Sequence, residues 1–193
     1  MGFDLSGDAG CGGCLHWLSV EDKEETAMAE PALSATEMLA WLDKTSAKWR
    51  ELIEAHPAIL QMPCDVMGVS TVGGLLQHIV AVELRYAEQL GGESPTEYEA
   101  IPFDSAAAIY ATHERAMAKY RELLASGVDW EGTFEYVTRS MGPARSKRKT
   151  VFFHAMMHAI RHYAQLATLV RQHGIKPGWP MDYLMMDIEL SDR

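Results

Sequence analysis

Three histidines near the C-terminal end of the chain have a spacing that suits metal binding. His154, His158 and His162 follow one another at intervals of four residues in the run VFFHAMMHAIRHYAQLATLVRQHG. Residues four apart lie on one helix face, about 6 Å apart along the axis, so two imidazoles can converge on one metal ion. The neighbouring residues are mostly apolar, which predicts a buried helix whose histidine face points inward or into a cleft. The pairs His154/His158 and His158/His162 satisfy this spacing equally well.

A further histidine, His78, lies on the apolar face of another predicted helix. It follows Ser70, the expected N-cap, by eight residues, which places it about 12 Å along the helix. His158 lies at a similar depth if its helix begins near Thr150, and in an up-down-up-down bundle these two helices run in the same direction. We therefore expect a histidine triad. Three histidines with an open fourth position are typical of catalytic Zn²⁺ sites, and Ni²⁺ or another first-row ion accepts the same ligands.

Four segments with helical periodicity must position these histidines. The first begins after a capping box formed by Ser34 and Glu37 and ends before Pro57. The other three are predicted from an N-cap at Ser70 to Gly91, from an N-cap at Asp104 to Gly127, and from about Lys149 to His173. Residues 130–142 predict a short strand or hairpin. The chain is therefore expected to be all-α, an up-down-up-down four-helix bundle with a short additional C-terminal element.

The N-terminal segment differs in composition from the rest of the chain. It is rich in glycine and then acidic, which predicts a flexible, disordered tail over residues 1–33 and a helical domain over residues 34–193. Cys11 and Cys14 have the C-x-x-C spacing of redox motifs but lack the strand and helix that usually surround such a motif. With His16 nearby, adventitious metal binding is the alternative.

Composition and charge exclude several functions. The 193 residues suit one domain, and 48% apolar residues are enough for a core. Because 17 Lys and Arg face 27 Asp and Glu, the net charge of −10 opposes binding to nucleic acid. No apolar run approaches the roughly 20 residues of a membrane span, and the N-terminus lacks the basic and apolar regions of a signal peptide. Three cysteines are too few for a disulfide scaffold, so we expect a cytoplasmic protein without membrane or nucleic-acid partners.

Positive charge is concentrated just before the last long helix. Five basic residues fall within residues 139–149, namely Arg139, Arg145, Lys147, Arg148 and Lys149. The bundle arrangement places this loop at the metal-site end of the molecule. There Arg145, Lys147 and Arg148 are candidates for binding the carboxylates or phosphates of an anionic substrate or thiol cofactor. The alternative is a solvated loop without a ligand.

Two other groups of side chains are expected to lie outside the site. Helix periodicity places Glu83 about 140° around the helix from His78, which argues against Glu83 as a general base there. His56, His113 and His173 are interpreted as exposed or helix-end residues.

The segments STVGGLLQHIVAVE and HAMMHAIRHYAQL resemble the DinB family of metal-binding four-helix proteins. The resemblance covers roughly residues 35–188, including a closing P-x-D-Y motif at residues 180–183. Residue by residue, it implies His78, His158 and His162 as the metal ligands and leaves His154 outside the ligand set. The chain departs from the family after the last histidine, where the family often has Arg-Gly and this sequence has Tyr-Ala before a glutamine.

The resemblance implies two functional classes, and a third stays open beside them. The first is thiol-dependent transfer or isomerisation of a small molecule, in which a divalent metal, Zn²⁺ or Ni²⁺, activates a low-molecular-weight thiol. The second is hydrolysis by a metal-activated water. The third is a non-enzymatic, stress-response metal-binding bundle. Family members commonly dimerise through the helical bundle, so a homodimer is expected.

Overall fold

Four long α-helices make up most of the computed structural model, which describes residues 34–189. They are α1 (Ala35–Ala55), α2 (Val72–Leu90), α3 (Ala106–Ala125) and α4 (Arg148–Gln172). Between α3 and α4 lie two strands, β1 (Thr133–Thr138) and β2 (Gly142–Lys147), and short 3-10 helices span Pro57–Gln61, Val66–Gly68, Tyr98–Ala100 and Tyr183–Met186. The four predicted helices and the mostly helical fold are confirmed. The predicted tail over residues 1–33, with Cys11 and Cys14, lies outside the described residues.

The helix N-termini are fixed by short polar side chains. In α1 the expected capping box is present, with the Ser34 hydroxyl accepting from the Glu37 amide at 3.2 Å and the Glu37 carboxylate accepting from the Ser34 amide. The N-caps of α2 and α3 are Thr71 and Ser105, each one residue later than expected. For α2 the reason is that the Ser70 carbonyl accepts from Cys64 in a bridge that keeps the chain extended up to Thr71.

Helix α2 is buried around most of its circumference. It packs against both α3 and α4, while α1 also packs against α3 and α4. The largest completely buried side chains come from α1, α3 and α4, among them Trp49, Tyr110, Tyr120, Phe152 and Tyr163. This apolar core holds α2 and α4 side by side, so residues on their facing sides can meet. None of the helices within residues 34–189 combines the length and apolar character needed to cross a membrane.

The two strands form an antiparallel hairpin that continues directly into α4. The register pairs Thr133 with Lys147 and Thr138 with Gly142, and Gly142 has a φ of +75° that few other residues adopt at low cost. The amide of Gln89 on α2 bonds both backbone groups of Val137, accepting from its N–H at 2.7 Å and donating to its carbonyl at 3.3 Å. The strand predicted within residues 130–142 is present as β1, whereas its partner β2 begins only at Gly142 and lies in the basic segment.

His113 on α3 is buried, and its interpretation as an exposed residue was wrong. Its side chain bonds Glu83 of α2, with 2.8 Å between Nδ1 and the carboxylate, and lies 3.4 Å from the carboxylate of Asp43 on α1. Burial lowers the pKa of His113, but the two carboxylates raise it more, to about 9. An imidazolium with two carboxylates thus joins three helices in the core.

Candidate metal centre

Three histidine side chains from two helices converge inside the molecule. His78 comes from α2, while His158 and His162 come from successive turns of α4. The Nε2 atom of His158 lies 3.0 Å from that of His78 and 3.2 Å from that of His162, and the three candidate ligand atoms all lie within 4.8 Å of one another. Tetrahedral Zn²⁺ with nitrogen ligands at about 2.0–2.1 Å has ligand atoms roughly 3.3 Å apart. The spacing of the three Nε2 atoms could therefore hold a metal ion.

The orientation of His162 is fixed by Gln165, one turn further along α4. Nδ1 of His162 donates to Oε1 of Gln165 at 2.6 Å. Because Nδ1 carries the proton, the Nε2 lone pair of the neutral ring points toward the other two histidines. A hydrogen bond from the remote ring nitrogen to an oxygen is usual for metal-binding histidines. Gln165 thus prepares His162 to act as a ligand.

The three rings are neutral near pH 7. Burial, then the nearby His162, then the positive charges of Arg139 and Arg161 lower the pKa of His78 to about 4. Burial and the two other histidines lower the pKa of His158 to about 2. The exposed fractions of His78, His158 and His162 are only 9%, 7% and 1%. Neutral imidazoles retain the lone pairs that a metal ion requires.

Without a cation the cluster is poorly satisfied. A proton on Nε2 of His158 can be donated to only one of its two neighbouring rings at a time. Unsatisfied polar groups in a protein interior are costly, and they often mark a site whose partner is a ligand. The donor set therefore fits a divalent metal.

His154 does not belong to this group. It is exposed, and its ring lies 5.5 Å from the ring of His158 and 5.6 Å from that of Tyr86. The structure thus brings His158 and His162 together with His78, whereas spacing alone left His154/His158 open as an alternative pair. His154 lies along the wall of an adjoining cleft instead.

A cleft of about 210 Å³ opens directly onto the histidines. His78 and His158 line it, together with residues of α2, α4 and the hairpin turn. Three arginines, Arg85, Arg139 and Arg161, also line it, whereas no aspartate or glutamate of the described part of the chain does. The cleft is therefore positively charged although the chain as a whole is strongly negative.

The basic residues singled out before α4 lie elsewhere, with one exception. Arg145 donates to the Thr133 hydroxyl at 3.0 Å, and Lys147 pairs with Glu131 at 2.8 Å. Arg148 lies over the ring of Phe134, 5.5 Å from its centroid. None of these three lines the cleft, and their role in anion binding stays a prediction. Arg139, from the same segment, does line the cleft.

Two cleft arginines were missed as candidates from the sequence. Arg161 directly precedes His162, and Arg85 follows His78 by seven residues. Residues seven apart share a helix face after two turns, so the position of Arg85 was available as a signal.

Comparison with known proteins gives a family match over most of the chain. The sequence model of the DinB family matches residues 17–190, most of the 193-residue chain. The match includes both helices that carry the three histidines. No curated protein matches the chain.

Proposed function

The chain belongs to the DinB family, and from that premise we propose that it is a metal-dependent enzyme acting on a small molecule. In this proposal His78, His158 and His162 hold one divalent ion, Zn²⁺ or Ni²⁺. The observation that carries it is the convergence of three neutral imidazoles beside an open cleft. Three protein ligands leave a fourth position for an exchangeable molecule, which distinguishes catalytic from structural sites.

Thiol-dependent transfer or isomerisation is the reaction class that we favour. A divalent cation held at this site would lower the pKa of a bound thiol or water. The lining of the cleft supports the thiol, because no carboxylate of the described residues reaches it to take a proton from water. Metal-dependent hydrolases often use a glutamate for that step. A free thiol, with a pKa near 8.5, needs less assistance.

Two alternatives make different demands on the same residues. Hydrolysis is the second candidate, favoured by His154, an uncoordinated imidazole on the cleft wall. A non-enzymatic metal-binding protein is the third, and it requires a fourth protein ligand that closes the site. Within residues 34–189, the group that could hold a metal consists of three histidines and no further ligand. This supports the two enzymatic classes over the third.

We also propose that the four helices form an up-down-up-down bundle. The packing of α2 against α3 and α4, and of α1 against the same two helices, supports this arrangement. A homodimer in the cytoplasm stays a prediction. Light scattering coupled to size-exclusion chromatography tests the dimer, since a single species of monomer mass would contradict it.

Metal binding is tested by elemental analysis of purified full-length protein. The parent protein carries Cys11→Ser and Cys14→Ser, so that the cysteine pair cannot contribute metal. We expect about one equivalent of Zn²⁺ or Ni²⁺ in the parent and in His154→Ala, and a large loss in His158→Ala. Equal metal content in His158→Ala and the parent would contradict the assignment of His158 as a metal ligand.

The reaction class is tested with the metal-loaded protein. Bacillithiol, mycothiol and glutathione are each incubated with a panel of electrophiles, and ester and amide substrates are tested in parallel. We expect turnover that requires both a thiol and His158. Turnover of esters or amides without thiol would favour hydrolysis, and no turnover with metal bound would favour the non-enzymatic class.

A further inference from the structure

The cleft beside the histidines has a charge pattern that points to its ligand. Arg85, Arg139 and Arg161 line it, and none of the acidic residues between positions 34 and 189 does. The chain has ten more acidic than basic residues, so a cavity with this lining departs from the average of the molecule. Such a local concentration of one sign attracts ligands of the opposite sign.

Arg139 is the arginine best placed to meet such a ligand. Its guanidinium carbon lies 3.7 Å from the centroid of the Tyr98 ring, a cation–π contact that holds the group at the cleft. Within residues 34–189 it forms no salt bridge, whereas Lys147 and Lys149 both pair with Glu131. Its charge also helps to lower the pKa of His78, so it lies close to the metal centre. Arg139 therefore has charged donors that no acidic side chain of the described chain satisfies.

The turn that carries Arg139 is held firmly. The amide of Gln89 bonds the backbone of Val137 on both sides. Inside the turn, the Thr138 hydroxyl donates to the Gly142 carbonyl at 3.1 Å and accepts from the Met141 amide at 2.9 Å. A donor on a fixed turn loses less entropy when it binds than one on a mobile loop.

Arg161 on α4 also lines the cleft and contacts one of the candidate metal ligands. Its guanidinium donates to Nε2 of His162 at 3.1 Å. A metal ion would use that same lone pair, so the two interactions exclude each other. When the histidines hold a metal, the Arg161 guanidinium loses this acceptor and becomes available to a ligand in the cleft.

One part of the lining is apolar and aromatic. Met67, Val82, Val137 and Met141 line the cleft together with Tyr86. A small hydrated ion would leave these surfaces in contact with water, whereas an organic group would cover them. The planar fork of a guanidinium matches a carboxylate in two parallel hydrogen bonds.

We propose that this cleft binds a small organic carboxylate, with its apolar body between the hairpin turn and α2 and its carboxylate on Arg139. Arg161 adds a second donor once a metal occupies the histidines. Identifying this carboxylate as the substrate rests on the proposed function. The binding itself requires neither metal nor thiol, so the two ideas can fail separately.

The test uses benzoate as the probe and benzamide as its uncharged counterpart. Full-length protein treated with EDTA is titrated with each, and binding is followed by ligand-observed NMR. We expect saturable benzoate binding, at least tenfold weaker binding of benzamide, and about a tenfold loss of benzoate affinity in Arg139→Gln. Arg171→Gln, which removes one charge from the far end of α4, is the control and should retain the parent affinity.

Three results would overturn the carboxylate site. They are no saturable benzoate binding, equal affinity for benzamide, or equal affinity in Arg139→Gln and the parent. A loss in Arg145→Gln instead of Arg139→Gln would do the same, since it would move the anion to the outer face of the hairpin. If Arg139→Gln weakens benzoate while the loaded protein shows no turnover, the carboxylate site stands and the enzymatic proposal fails.

The part assigned to Arg161 is tested by repeating the titration with Zn²⁺ bound. Zinc should raise benzoate affinity by a larger factor in the parent than in Arg161→Gln. Competition with a chelator measures zinc affinity in both proteins, so that full loading is established before the comparison. Equal factors in the two proteins would show that Arg161 does not receive the carboxylate.

Discussion

The molecule buries two groups of histidine in quite different ways. Around His113, two carboxylates from other helices stabilise a charged ring, and its pKa rises to about 9. Around His158, burial, the other histidines and Arg161 lower its pKa to about 2. Helix α2 contributes to both, through Glu83 in the first group and His78 in the second. His113 thus has carboxylate partners within the chain, whereas none of the salt bridges among residues 34–189 involves His78, His158 or His162.

The largest expected effect comes from breaking the first group. In His113→Leu the carboxylate of Glu83 stays buried without its partner, so the free energy of unfolding should fall by about 3–5 kcal/mol. Urea unfolding followed by circular dichroism measures this. Replacing both residues, in Glu83→Leu with His113→Leu, should recover much of the loss because no charge is left unpaired. The exposed His56→Leu serves as control, and a similar loss there would contradict the role given to burial.

The two groups should also respond to pH in opposite directions. Because the pKa of His113 is raised in the folded state, its stabilising contribution is full below about pH 6.5 and is lost as the pH rises through about 9. Because the pKa of His78 is lowered to about 4, the metal-free protein should lose stability as the pH falls from about 6.5 toward 4. Urea unfolding in EDTA across this pH range measures both.

Variants show which histidine causes each of the two pH-dependent losses of stability. The loss above neutral pH should disappear in His113→Leu, and the loss below pH 6.5 should be smaller in His78→Leu. If His113→Leu retains the alkaline loss, the charged state of His113 is not its source.

A bound metal ion should stabilise the folded protein through His78, His158 and His162 and not through His113. A ligand at one hundred times its Kd that binds the folded state alone stabilises it by about 2.7 kcal/mol. We therefore expect added Zn²⁺ to raise the Tm of the parent carrying Cys11→Ser and Cys14→Ser, but not that of His158→Ala in the same background. His154→Ala should respond like the parent, because His154 lies outside the group. A zinc-dependent Tm in His158→Ala would place the ion elsewhere.

The smallest of these effects concerns the residue that orients His162. Gln165→Leu removes the acceptor for Nδ1 of His162 and frees the ring to change tautomer. Loss of such a supporting hydrogen bond typically lowers metal affinity 10–100-fold. Chelator competition measures this, with the neighbouring exposed Ala164→Ser as control. An unchanged affinity would mean that packing alone orients the ring.

The features that could be predicted from the sequence are those that depend on residues close together along the chain. Periodicity and caps located the four helices, and equal depth along two of them brought His78 to the level of His158. The error at His113 has a different origin, because its partners Asp43 and Glu83 lie on two other helices. Nothing in the neighbourhood of His113 along the chain indicates which carboxylates it will meet.

The arginines illustrate the same limit. The basic segment before α4 was visible as a cluster, yet its residues divide among the hairpin turn, β2 and the start of α4 and therefore face different surroundings. Arg139 lies in the turn and reaches the cleft, while Arg145 and Lys147 lie on β2 and bond Thr133 and Glu131. Which of these residues reaches the cleft depends on how β1 pairs with β2. The sequence pattern of one strand does not specify that pairing.

Gln89 attaches the hairpin turn to α2, and the turn residues that line the cleft therefore lie on a different part of the structure from the candidate metal ligands. The metal ligands lie on helices whose packing maintains the fold, whereas Arg139, Ser140 and Met141 form a turn attached through a few hydrogen bonds. Turns of this kind tolerate substitution better than helices in a core. Related chains could therefore diversify in the molecules they accept by exchanging these three residues, while the metal centre and the stability of the fold remain as they are.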